Sequence, residues 1–76
     1  MRLEALARDS VTITLTATEL LTVNNALNEI CNGARDLDHD DEFATRVGVT
    51  RAEARDTLAG VHELVERHRA LPDERA

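Results

Sequence analysis

The chain has 76 residues, with nine Arg against fifteen Asp and Glu, no Lys and a formal charge of −6. That length admits one small domain, spanning 1–76, with little room for a substrate cavity, and the net acidity disfavours a dedicated binder of phosphate backbones. A single cysteine, Cys31, excludes an internal disulfide framework and a Cys-only metal site, and suits a reducing cytoplasm.

From the N-terminus, Met1–Leu6 is mixed in charge and lacks the apolar region of a secretory signal. No apolar run is long enough to span a membrane, so the expected location is cytoplasmic. Residues 11–16 alternate Val11, Ile13 and Leu15 with Thr12, Thr14 and Thr16, which is the period of a half-buried strand. Residues 2–7 are a weak partner for it by composition. Either they pair with it across Asp9-Ser10 or a second copy of the chain does, and a homodimer built on that strand is the expectation. Residues 1–10 and 72–76 are expected to be the less ordered ends.

Thr16-Ala17-Thr18-Glu19 is a capping box, so a helix is predicted over 17–32 with Gly33 as its left-handed stop. An acidic loop follows over 34–40. Asp40 is positioned to cap a short helix over 41–47 that Gly48 ends. Thr50-Arg51-Ala52-Glu53 is a second capping box, and a long helix is predicted over 51–70, before Pro72. The fold class is mainly α: a short N-terminal strand followed by one long, one short and one long helix. The expected core is Ile13, Leu15, Leu20, Val23, Leu27, Ile30, Phe43, Val47, Leu58, Val61 and Val65. Phe43, the only aromatic residue, is expected at the junction of the helices.

The densest charge lies at residues 35–42, five acids and one Arg. Asp36, Asp38 and Asp40 have the opening spacing of a calcium loop, but Asp41 stands where that loop needs Gly and Val47 where it needs Glu, so no metal is expected. These residues read as a solvated, helix-capping loop or as a recognition surface for a basic partner, with Asp36, Asp38, Asp40, Asp41 and Glu42 as the partner-binding set. Asn24, Asn25, Asn28 and Asn32 are poor helix formers. Asn24 and Asn28 are expected to bridge to the backbone of the loop or of the neighbouring helix, while Asn25 and Asn32 face outward. Cys31 reads as a small buried apolar residue. His39, His62 and His68 have no metal-pair spacing, and no catalytic set or phosphate loop appears, so neither an enzyme nor a cofactor is expected. Residues 42–58 have the rhythm of a helix-turn-helix, offering Arg51 and Arg55, but Glu53 and Asp56 cancel that charge.

Residues 21–33, with Asn-Asn-Ala-Leu-Asn-Glu, and the Phe-x-Thr-Arg-x-Gly-Val turn of residues 43–49 resemble a group of small bacterial proteins. The resemblance covers about residues 13–64. Some members of that group resemble immunity proteins of polymorphic toxins. It implies a protein-binding module that neutralises a cognate toxin, an immunity protein or antitoxin, and carries no functional residue across. A small helix-turn-helix regulator and a homodimeric adaptor are the alternatives; nucleic acid and membrane are disfavoured as partners.

Overall fold

The computed structural model describes residues 1–33 and 39–72. An N-terminal hairpin of β1 (Arg2–Ala7) and β2 (Ser10–Thr14) leads into α1 (Ala17–Asn28), a π-helical turn (Glu29–Gly33), α2 (Asp40–Val47) and α3 (Arg51–Arg69). The fold is mainly α with a short β element, as the periodicities predicted. The expected fraying of 73–76 lies outside the described residues.

The strand predicted at 11–16 is found at Ser10–Thr14, and its partner is within the chain: β1 pairs antiparallel with β2. A bulge shifts the register between Leu3 and Ala5, so that Leu3 stands opposite Ile13 and Leu6 opposite Val11. Directly opposed residues share a face, and alternate residues of one strand share a face. The bulge therefore brings Leu3 and Leu6, three apart, onto the side already held by Val11 and Ile13. In an unbulged strand they would point to opposite sides. Glu4, the extra residue, lies with Arg2 and Thr14: its Oε1 accepts from Arg2 Nε at 2.6 Å and from Thr14 Oγ1 at 2.9 Å. Those bonds hold the Glu4 carboxyl below its ordinary range, Arg2 contributing most.

Both predicted capping boxes form. Thr16 Oγ1 accepts from the Glu19 N–H, and the Glu19 carboxylate accepts from the Thr16 N–H at 2.9 Å. Thr50 and Glu53 repeat the arrangement at the start of α3. Glu19 also receives the N-terminal ammonium at 2.6 Å, which ties the hairpin to α1 and is the main cause of its lowered pKa. Gly48 ends α2 in the left-handed region at φ 92°, where a side chain would be strained.

Gly33 does not play the role expected of it. Among the described residues Gly48 is the one glycine at positive φ; α1 instead widens into a π turn across Glu29–Gly33. The core is small. Phe43 is fully buried, Cys31 and Ala54 pack with it, and Ile30, Val47 and Leu58 close around them half-buried. Val65 is buried further along α3. Leu20, Val23, Leu27 and Val61 are half-buried, as helical spacing predicted, and Leu15, expected in the core from the strand alternation, is half-buried just past β2. Ile13 is a correction: it is 42% exposed, because among the described residues no helix packs substantially on the hairpin.

Candidate functional site

Three of the five predicted partner-binding acids come together. Asp40, Asp41 and Glu42 form the first turn of α2 and all are exposed, the Asp40 side chain by 87%. Carboxylates here suit the positive end of the helix dipole. Asp36 and Asp38 lie outside the described residues. Asp40 is the first residue of the helix rather than its cap; His39 caps in extended geometry without a side-chain bond. Glu42 makes a loose pair with Arg46 at 3.8 Å, one turn on.

The residue that organises this end is Arg51. Its guanidinium sits 4.5 Å from the centroid of the Phe43 ring. Its Nε donates to Asp40 Oδ1 at 3.3 Å and its Nη1 to the Cys31 carbonyl at 3.3 Å. One side chain, 18% exposed, thus joins the end of the π turn, the start of α2 and the start of α3 over the only aromatic ring. The sequence reading placed Arg51 among the cations a helix-turn-helix would offer. No spacing rule announces its real position, since it depends on where Phe43 lands; the only hint was an Arg just beyond a capping Thr in a chain with one aromatic.

A groove of about 500 Å³ opens between α2 and the first turn of α3, with Asp40 and Asp41 on one wall and Arg51 and Arg55 on the other. Its carboxylate wall can accept a guanidinium or ammonium from a partner. A second, shallower groove of about 260 Å³ lies between α1 and α3, lined by Asn24, Asn28, Arg55, Leu58, Ala59 and His62. The asparagines correct an expectation here. Among the described residues Asn24 and Asn28 make no bridge to the backbone of the neighbouring helix; the loop, the other expected partner, lies outside them. Asn24 Nδ2 donates to Asn25 Oδ1 at 3.2 Å, and Asn28 Oδ1 accepts from Asn32 Nδ2 at 3.0 Å. They pair with neighbours along the chain instead. Asn24 Oδ1 is left buried without a partner.

Cys31 is 2% exposed against Phe43 and Ala54, the small buried residue it was expected to be. Among the described residues no three His, Cys, Asp or Glu side chains stand close enough to hold a metal ion. No helix among them is long and apolar enough to cross a membrane. No family model, curated protein or solved structure matches the chain.

Proposed function

We propose that the chain is a non-enzymatic protein-binding module that acts in the bacterial cytoplasm, an immunity protein or antitoxin that docks its acidic end onto a basic surface of a cognate toxin. Three exposed carboxylates on one helical turn carry this reading: Asp40, Asp41 and Glu42 present an acidic patch beside a groove. Asp36 and Asp38, four and two residues upstream of Asp40, would extend it. Opposite charge on the partner would steer the encounter and select against acidic surfaces. A patch carried on a helical backbone loses little backbone conformational entropy on docking.

The rival reading, a DNA-binding helix-turn-helix, is weakened by the fate of its cations. Arg51 is held against Phe43 and Asp40 rather than offered to a phosphate. A backbone approaching the groove would meet the Asp40 and Asp41 carboxylates as well as the exposed Arg55.

The test is capture of partners from the native cell on the tagged chain at low salt, followed by association kinetics with the captured protein. A basic toxin domain is the expected partner. Replacing Asp36, Asp38, Asp40 and Asp41 by Asn and Glu42 by Gln should slow association by about tenfold or more at low salt, with helix content unchanged. An unchanged rate would move the docking surface away from this end.

A further inference from the structure

Four asparagines stand within nine positions of α1 and the π turn, a residue type that helix interiors disfavour. Their own fold makes little use of them. Among the described residues their side chains bond only to one another, Asn24 to Asn25 and Asn28 to Asn32. The Asn24 oxygen is buried with no donor at all. Buried acceptors are nearly always paired, and one left alone is costly. A side chain kept in that state is explained by something that pairs with it at another time.

Asn24 and Asn28, one turn apart, line the groove between α1 and α3. On the α3 side stand Arg55 and His62, two turns apart, with Leu58 and Ala59 between them. No carboxylate lines this groove, in a chain with fifteen acids. Arg55 is exposed and, among the described residues, takes part in no hydrogen bond or ion pair, although it also borders the groove beside α2. His62 pairs loosely with Glu66 at 3.7 Å, one turn on. The charge of the lining is therefore opposite in sign to that of the chain, and its fixed cation is available.

We infer that this groove binds an extended acidic segment of a partner polypeptide, with Asn24 and Asn28 gripping its backbone and Arg55 an acidic side chain. An asparagine amide offers a donor and an acceptor side by side, the same pair that a peptide unit presents. Asn24 and Asn28 are about 6 Å apart along the helix axis. An extended chain repeats the same side every two residues, or about 6.6 Å, so the two amides meet alternate residues of the segment. The Asn24 oxygen gains the N–H it lacks by turning into the groove. Side chains two apart on the segment share a face: an Asp or Glu reaches Arg55, which can hold a carboxylate by two bonds, and an apolar neighbour covers Leu58 and Ala59. Size agrees. The groove holds about 260 Å³, below the roughly 300–1,000 Å³ of a pocket that encloses a small molecule, and suits a strip of chain passing across it. This chemistry is the same whether or not the acidic turn of α2 docks on a toxin.

The four asparagines are the only side-chain amides in the chain, so their NH2 signals in isotope-labelled protein report on the groove directly. The probe is a pool of end-blocked octapeptides with a central Glu-Ala-Leu and randomised flanks. Titrating it into the full chain should move the Asn24 and Asn28 signals most. Arg55→Gln and Asn28→Ala should each weaken binding about tenfold or more, and a pool with Gln in place of Glu should lose as much as Arg55→Gln does. Asn24→Ala should weaken binding while leaving the thermal midpoint of the free chain unchanged or higher, since Ala is the better helix former and the orphan oxygen goes. A midpoint that falls on Asn24→Ala would give that amide a structural partner and overturn the inference. So would an absence of shifts at millimolar peptide, or equal binding by a pool whose backbone nitrogens are methylated. Saturation of the same signals by glutarate alone would also overturn it, because the groove would then be a site for free carboxylates only. The peptide changes are made against the unaltered chain, so they decide even where a variant fails to fold.

Discussion

Phe43 and Arg51 act as one unit. The ring is fully buried and its exposed side is closed by the guanidinium, which in turn holds the Cys31 carbonyl and Asp40. Phe43→Ala should cost about 3–5 kcal/mol in denaturant unfolding, the range for emptying an aromatic core site. Arg51→Ala should cost about 1–3 kcal/mol, because it leaves a partly buried carbonyl unpaired and uncovers the ring. Arg51→Lys should recover little of that, since an ammonium cannot stack on the ring and reach both acceptors together. Cys31 lies against the same ring, so a thiol reagent should modify it only as fast as the core opens. Rapid labelling of the native chain, at the rate of a free thiol, would contradict this packing.

At the scale of elements, the helices owe their starts to two Thr–Glu boxes. Glu19 is held below its ordinary value of 4.5 first by the N-terminal ammonium and then by the Thr16 backbone; Glu53 is held below it by the Thr50 backbone and hydroxyl. A carboxyl with a lowered folded-state pKa binds fewer protons in the native than in the unfolded chain. Its stabilisation is therefore complete above about pH 4.5 and is lost as the pH falls below that value. Thermal melts followed by circular dichroism should show the midpoint falling below that pH, and Glu19→Gln with Glu53→Gln should flatten the slope. Thr50→Ala should cost about 1 kcal/mol at neutral pH through the lost cap. Gly48→Ala should cost about 1 kcal/mol as well, for a different reason: the site has free space, but its φ of 92° penalises any side chain.

At the scale of the molecule, the chain has two unlike ends. One is an acidic turn on α2 beside a charged groove; the other is a hairpin with a neutral, apolar face. Docking of the proposed acidic surface on a basic partner should weaken as ionic strength rises, because exposed charges are screened within about 8 Å at physiological salt. Association rates with the captured partner across a salt series check this; a rate that does not change with salt would place the contact on another surface.

Much of the fold was legible in the residues themselves. The strand at 11–16, the Thr16 and Thr50 boxes, the stop at Gly48 and the apolar stripes of α1 and α3 all depend on residues within one or two turns of each other. Local spacing is enough to specify them. The acidic patch was legible for the same reason, as a run of charge at a helix start. What the tertiary structure decided is whatever depends on a distant neighbour. The Ala-Leu-Glu composition of residues 2–7 is weak for a strand and left pairing within the chain or with a second copy open; β1 forms by pairing with β2, and its bulge sets which face each leucine takes. Ile13 has the alternation of a buried residue, yet stays exposed because no described helix lies over it. Gly33 has the residue type of a helix stop, yet α1 passes into a π turn. Arg51 reads as a surface cation until Phe43, eight residues earlier, is brought beneath it. Periodicity tells a side chain which way to face, but only the packed neighbour determines whether anything is there to meet it.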